Sequence, residues 1–369
     1  MQECTRCLFT SADDPTITFD HNGLCSICQY YDRYVSKRLY FKTNPGGLTK
    51  IIEQIKADGK NKPYDCIIGL SGGADSTYVA LLCKRYGLRP IAVHLDNGWN
   101  SALSVINIQN TLDILGLDLH TYVINWKEFR DLQKAYFHAS VVDIEALTDQ
   151  AIYAVLLEIA KKYQIKYVLS GENAETEGVL PPSWVHIKLD SINIRAIHKR
   201  FGTMKLKTYP ILSFWKMLYY ERTKFLQYIR ILNYAPYDKV KVKAEITKEL
   251  KWQDYGGKHY ESVFTRFYQA YILPKKFGID KRKSHLSTLI CSGQLTKAEA
   301  KAELAKPICD PYLLEQDKEF VLKKLNFTAE EFDRLMAEPR KEHTEYPSVS
   351  HAFEQLRKIK HLLTLKWLK

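Results

Sequence analysis

The stretch Cys66-Ile67-Ile68-Gly69-Leu70-Ser71-Gly72-Gly73-Ala74-Asp75-Ser76 decides the fold of this chain. A short apolar run ends in SGGADS and an amphipathic stretch follows at once, which predicts a strand, a tight turn and a helix start. Gly72 and Gly73 permit backbone angles and close approaches that a Cβ would block. The N–H groups of such a turn, joined to a helix N-terminus, form a cradle for an anion. Ser71 and Ser76 add hydroxyl donors. Asp75 suits an anion site only if it holds a divalent cation that phosphates also bind. The Walker A spacing G-x-x-x-x-G-K-[ST] is absent.

Working outward from this turn, residues 64–173 alternate strand and helix signals. Strands are expected at 66–70, 89–95, 119–124 and 167–170, and helices at 77–86, 103–115, 126–139 and 147–163. That alternation predicts an α/β fold, a doubly wound parallel sheet with helices on both faces. Ligands of such sheets bind beyond the carboxyl ends of the strands. SGGADS follows the first strand. His94 and Asp96, in the HLDNG turn after the second, are placed to meet an adenosine moiety. GENAETEG, from Gly171, follows the fourth and brings Glu172, Glu175 and Glu177 towards Asp75. Carboxylates beside polyphosphate are expected where Mg²⁺ bridges the two. Asp149 reads as a first-turn helix acid.

The chain of 369 residues is long enough for two domains, or for one large domain with appendages. Its 46% hydrophobic and 26% charged content is that of a soluble globular protein. No apolar run reaches the ~18 residues of a membrane span, and the N-terminus lacks the pattern of a signal peptide. A cytoplasmic location is therefore expected. The net charge of +12 points to acidic partners: nucleotides, nucleotide sugars, RNA or an anionic membrane face.

Cys4, Cys7, Cys25 and Cys28 form C-x2-C-x17-C-x2-C, while Cys66, Cys83, Cys291 and Cys309 are scattered. Two tight turns with two thiolates each suit a tetrahedral metal site. The alternating segment 15–23 between them, ending in Asn-Gly, predicts the hairpin of a zinc ribbon. Four thiolates leave no open position, so the metal is structural. An iron–sulfur cluster is the alternative occupant.

Beyond residue 210 the pattern becomes helical, with helices expected at 213–232, 241–250, 260–271, 296–305, 313–325 and 329–337. Two segments there carry clustered polar groups. WQDYGGKHYESVFT includes Lys258, His259 and Glu261; FGIDKRKSHLSTLICSG includes Lys281, Arg282 and His285. Cations of this kind bind phosphates or stabilise charge on a leaving pyrophosphate.

SGGADS resembles the SGGxDS loop of the PP-loop (N-type) ATP pyrophosphatases. The set PTITFDHNGLCSIC, SGGADS, HLDNGW, SGEN, YGGKHYES and DKRKSHLS resembles, from Cys4 to about Pro347, the N-acetyl sugar amidotransferases (WbpG- and PseA-like proteins) of lipopolysaccharide O-antigen and pseudaminic acid biosynthesis. The resemblance implies a zinc ribbon at 1–40, a PP-loop ATP pyrophosphatase domain at 41–235 and a helical substrate and partner region at 236–369. It implies conversion of an acetamido group on a nucleotide-activated sugar into an acetamidino group, with ATP split to AMP and pyrophosphate. Ser71, Gly72, Gly73, Asp75 and Ser76 would meet pyrophosphate and Mg²⁺. His94, Asp96, Gly171 and Glu172 would complete the nucleotide site. Asp75, Glu172 and Glu175 would hold Mg²⁺. Asp75, Lys258, His259, Lys281, Arg282 and His285 are the catalytic candidates. GENAET is similar to the GEGSDE loop of asparagine synthetases, with Glu175 in place of its Asp.

The resemblance also implies that ammonia comes from a separate HisH-like glutaminase through a HisF-like protein; the chain shows no obvious glutaminase triad of its own. The alternative is a tRNA-modifying PP-loop enzyme, a thiolase or lysidine-type ligase. The catalytic region lacks the second C-x-x-C common in sulfur transfer, so nucleic acid is not the expected partner. A non-catalytic ATP-binding scaffold would have no need of Asp75.

Overall fold

The computed structural model describes residues 1–257 and 260–351; Lys258 and His259 lie outside the described residues. A five-stranded parallel sheet has the order β3-β2-β1-β4-β5, with β1 Cys66–Gly69, β2 Pro90–Asp96, β3 Asp118–Val123, β4 Tyr167–Ser170 and β5 Gln227–Arg230. Helices α1 Ser26–Tyr30, α2 Tyr40–Thr43 and α3 Gly47–Gly59 precede β1. Then α4 Ala74–Arg85, α5 Ala102–Leu115, α6 Trp126–Ala139 and α7 Ala146–Lys162 alternate with β1 to β4. Next come α8 Ser191–Phe201, α9 Phe214–Thr223 and α10 Lys239–Leu250, with β5 between the last two.

The rest of the described chain is helical. α11 Val263–Phe267 runs through a π-turn at Tyr268–Ile272 into α12 Leu273–Phe277. Helices α13 Arg282–Ser292, α14 Lys297–Leu304, α15 Pro311–Leu325 and α16 Ala329–Ala337 follow.

β1 reads as a continuous apolar run because both of its faces are covered. Ile67 joins Ile91, Val93, Val155 and Ile159 on the α7 side. Cys66 and Ile68 join Val79, Leu82, Ala92, Ile108 and Ile246 on the side of α4, α5 and α10. β1 pairs in parallel with β2 and with β4, so the strand order reverses between β1 and β4. The turns after these two strands, SGGADS and Ser170-Gly171-Glu172, therefore flank the crevice where such sheets bind ligands.

Two elements, the helix expected at 213–232 and the hairpin expected near the cysteines, differ in the structure. The helix expected at 213–232 ends at Thr223 with Lys224 in the left-handed region (φ 49°), and the chain re-enters the sheet as β5. Gln227 to Arg230 pair with Tyr167 to Ser170. The apolar residues of this stretch satisfy a helical and an alternating pattern equally, and tertiary pairing decides between them. The hairpin expected near the cysteines reduces to single antiparallel bridges, Glu3 with Thr10 and Phe19 with Cys25.

The largest apolar cluster lies outside the sheet. It joins Cys4, Phe9 and Cys28 to Phe129, Tyr136, Phe264, Phe267 and Phe332, so cysteine turns, α6 and the C-terminal helices share one core. Trp99, directly after β2, packs on Trp126 and Phe264. Its carbonyl accepts from Val263 N–H, and Ser101 N–H donates to the Glu261 carbonyl. These bonds tie the C-terminal region to the end of β2.

A buried polar staple holds residues 343–349. His343 stacks on His186 at 4.0 Å, donates from Nδ1 to Asn193 Oδ1 and accepts at Nε2 from Asp143 N–H. Burial, then the His186 charge, pushes its pKa down to about 3. A depressed folded-state value means that the unfolded chain binds the proton more readily below about pH 6.5. This contribution to stability is complete above about 6.5 and fades as the pH falls towards about 3. We expect wild type to lose about 2 kcal/mol more stability than His343→Gln between pH 7.5 and pH 5. Urea melts check this; parallel pH slopes would exclude His343 as the cause.

Candidate functional site

The turn after β1 has the geometry expected of an anion cradle. Gly72 has φ 81°, and a Cβ there would lie 2.6 Å from the Ser104 carbonyl oxygen; no L side chain fits. The Gly72 carbonyl accepts from Trp252 Nε1 and Tyr255 Oη, both at 2.8 Å. Its N–H side is thereby turned away from these two rings. Ser71 Oγ and Ser76 Oγ lie 3.2 Å apart. α4 starts at Gly73 without a side-chain cap, so its first N–H groups are left for a ligand. The positive end of the helix dipole points the same way.

A cavity of about 660 Å³ opens beyond the sheet. It reaches from Ser71 and His94 past Ser170 and Glu172 to Glu261, Lys281 and His285. It thus touches the ends of β1, β2 and β4 and the C-terminal region. A recess of about 70 Å³ beside the turn is lined by Ser71, Gly73, Asp75, Ser76, Lys239 and Lys243.

The carboxylates expected to converge do not do so. Asp75 Oδ1 accepts from the Tyr237 hydroxyl, and Oδ2 lies 3.7 Å from Lys239 Nζ. Glu172 pairs with Arg230 of β5 at 2.8 Å on the surface. Glu175 is buried and accepts from Tyr237 N–H at 2.6 Å; burial raises its pKa against that bond. Among the described residues only the four cysteines bring three or more ligand atoms together. Asp75 stays beside the turn, where Gly171 packs against its backbone and Asp254 and Glu261 line the same recess. That suits a Mg²⁺ ion held mainly by phosphate oxygens and one carboxylate.

After β2, His94 has defined partners. Nδ1 lies 2.9 Å from the Leu70 carbonyl, an acceptor, and so carries the proton; Nε2 accepts from Asn100 Nδ2 at 2.9 Å. His94 is therefore a neutral strut that fixes the β1 turn and also lines the cavity. Asp96 turns its carboxylate into its own loop, accepting from Gly98 N–H and Asn100. Asn97 and Asn100 face the cavity instead.

In the C-terminal wall, Lys281 and His285 line the cavity as expected. Arg282 does not face it. Its guanidinium is paired with Asp280 at 2.8 Å and donates to the carbonyls of Leu304 and Lys306. Glu261, already singled out in the sequence, lines the recess beside Gly73. Three groups escaped the sequence reading. Lys239 and Lys243, one helical turn apart on α10, face the recess; their i,i+4 spacing was the available signal. Lys188 lies in the cavity wall, 2.9 Å from both Asp143 and Asp149. Burial opposes its charge, but the two carboxylates outweigh that and raise its pKa.

The four cysteines are all buried. Cys4 and Cys28 have sulfurs 3.9 Å apart, Cys7 and Cys25 3.5 Å. Ligands at the Zn–S length of about 2.3 Å would sit ~3.8 Å apart at the corners of a tetrahedron. All four sulfurs lie within 4.8 Å of one another, a spacing that would fit one tetrahedral ion. Backbone N–H groups of Arg6, Cys7 and Cys25 point at Cys4 Sγ, the outer-shell pattern that holds a thiolate in place. Cys291 Sγ stands 3.7 Å from Cys28 Sγ, a neighbour that a four-coordinate ion does not need.

Residues 261–360 match the family model described as LPS biosynthesis protein WbpG-like, C-terminal domain, so this part of the chain is WbpG-like. An uncharacterized protein of Methanocaldococcus jannaschii is 24% identical over 317 residues, 83% of this chain and 94% of the relative. An NH3-dependent NAD synthetase from Campylobacter jejuni aligns with TM-score 0.33 and 15% identity, over 75% of this chain and 93% of its own. An NMN synthetase from Francisella tularensis aligns with TM-score 0.30 and 17% identity, over 52% and 74%.

Proposed function

We propose that this protein is an ATP-dependent amidotransferase that converts the acetamido group of a nucleotide-activated N-acetyl sugar into an acetamidino group. The observation that carries this reading is one cavity running from the SGGADS cradle to Lys281 and His285 of the WbpG-like domain. That cavity would bring ATP up to the C-terminal region, where an acceptor can meet it.

In this reading the amide oxygen of the acceptor attacks the α-phosphorus of ATP. Pyrophosphate leaves, held by the N–H groups of residues 74–76, by Ser71 and Ser76, and by Lys239 and Lys243. Mg²⁺, held by Asp75 and the phosphates, would neutralise charge on that leaving group. Ammonia then attacks the imidate carbon, and the C–O bond breaks to release AMP. Lys281 offers a cation to the charge that develops at the reacting phosphoryl group. The protein contributes mainly position and a preformed field.

The ammonia source would be a separate HisH-like glutaminase with a HisF-like carrier. All eight cysteines are buried, which supports an external source. No helix among the described residues is long and apolar enough to cross a membrane.

Incubation with ATP, Mg²⁺, ammonium and a UDP- or CMP-linked N-acetyl sugar is expected to yield AMP and pyrophosphate. The sugar product should be lighter by the difference between O and NH. Pyrophosphate release that needs tRNA and ignores every nucleotide sugar would overturn this reading in favour of an RNA-modifying enzyme.

A further inference from the structure

We propose that the acceptor sugar occupies a second chamber, built by the C-terminal region and separate from the nucleotide cavity; the inference rests on the amidotransferase reading. The chamber has a volume of about 680 Å³, against about 660 Å³ for the cavity at the sheet. The two share a wall of three residues, Gln269, Lys281 and His285. Every other residue lining the second chamber is absent from the lining of the first. Two spaces of equal size that meet at one polar wall are what a two-substrate ligase requires. ATP lies against the strand ends, the acceptor lies in the other chamber, and the reacting amide sits at the wall.

The lining fits a ligand with an apolar ring face and an anionic arm. It includes Pro307, Ile308, Pro311 and Leu313, with Tyr260. The same lining carries Lys281, His285 and Lys306, with Glu303 paired to Lys306 and Asp280 to Arg282. A sugar presents C–H faces to apolar and aromatic side chains, and its diphosphate seeks lysines.

The chamber is also preorganised, and this gives Arg282 its role. Its guanidinium, anchored on Asp280, donates to the carbonyls of Leu304 and Lys306. Tyr260 Oη donates to the Ile308 carbonyl at 3.3 Å. Pro307 and Pro311 restrict the backbone between these anchors. The loop joining α14 to α15 is thereby held as a fixed wall. Arg282, which also lines the chamber, is a positioning residue for that wall.

The test uses the full chain saturated with α,β-methylene-ATP and titrated with UDP-N-acetylglucosamine by calorimetry. The sugar nucleotide is expected to bind without displacing the ATP analogue. Leu313→Trp fills the chamber from a partly exposed position and should weaken that binding at least about tenfold. The affinity for α,β-methylene-ATP should stay within about twofold. Lys306→Glu, at an exposed side chain, should weaken sugar binding in the same direction and guards against a folding defect in the first variant. Competition between the two ligands, or unchanged sugar affinity in both variants, would overturn the chamber assignment alone. If wild type binds no UDP- or CMP-linked N-acetyl sugar, the amidotransferase reading falls, and the chamber assignment with it.

Discussion

Asp75→Asn is expected to lower ATP-dependent pyrophosphate release by about 10²–10³-fold with little change in thermal stability. The argument rests on what the substitution keeps. Asn has the shape of Asp and still offers an acceptor to the Tyr237 hydroxyl, which is buried beside it. Only the charge is lost, and with it the means to hold a divalent cation against phosphates in the cradle of Ser71 and Ser76. Glu172→Gln serves as the contrast. Its carboxylate pairs with Arg230 at the surface, where an ion pair contributes about 0–1 kcal/mol, so activity should stay near wild type. Steady-state pyrophosphate assays on both variants decide the matter. An active Asp75→Asn enzyme would remove Asp75 from the metal site. A dead Glu172→Gln enzyme would mean that Glu172 leaves Arg230 when ATP binds.

Loss of the N-terminal metal is expected to have the largest effect on stability. Structural zinc in small cysteine sites supplies about 10–16 kcal/mol of apparent binding energy, as much as the whole stability of an ordinary domain, about 5–15 kcal/mol. Here the four thiols sit in the same apolar cluster as Phe9, Phe267 and Phe332. Phe9 packs on Trp184, Arg6 donates to the Cys291 carbonyl, and Lys297 reaches the Cys4 carbonyl. Unfolding of the cysteine turns would therefore loosen α13, α14 and the wall that carries Lys281. Cys25→Ser should yield protein with little bound zinc, a melting temperature lowered by more than ten degrees (about 2–4 °C per kcal/mol at this size) and no pyrophosphate release. Cys291→Ser should keep the ion, because the other four sulfurs complete the tetrahedron. Metal analysis and thermal melts test both. Full stability of Cys25→Ser, or iron in place of zinc, would contradict the account.

The parts of the fold that were legible from sequence share a physical cause. β1, β4, α6 and α16 have strong local signals: a run buried on both faces, or a helical stripe closed by clear stops. The carboxylate site was misjudged because its partners come from elements whose signal was ambiguous. β5 reads as part of a helix until Lys224 breaks it, and β5 supplies Arg230, which takes Glu172. The loop that follows supplies Tyr237, which takes Glu175 at its backbone and Asp75 at its hydroxyl. Proximity in the GENAETEG loop could not reveal that Glu172 is taken by Arg230 and Glu175 by the Tyr237 backbone, while Glu177 lines the cavity. Arg282 was misassigned for a similar reason. A guanidinium in a basic run looks like a phosphate ligand until the carbonyls of Leu304 and Lys306, more than twenty residues away, are seen to occupy it. The strand–turn–helix geometry of SGGADS was legible, because a Gly at positive φ, two hydroxyls and an uncapped helix start are all local.

The central claim, transfer of an adenylyl group to an amide oxygen, is tested most directly by following that oxygen. A nucleotide sugar carrying oxygen-18 in its acetamido carbonyl is turned over with ATP, Mg²⁺ and ammonium, and the products are weighed by mass spectrometry. The account predicts the label in the phosphate of AMP, with none in pyrophosphate and none in the sugar. Label in inorganic phosphate alongside ADP, or label retained in the sugar, would contradict it.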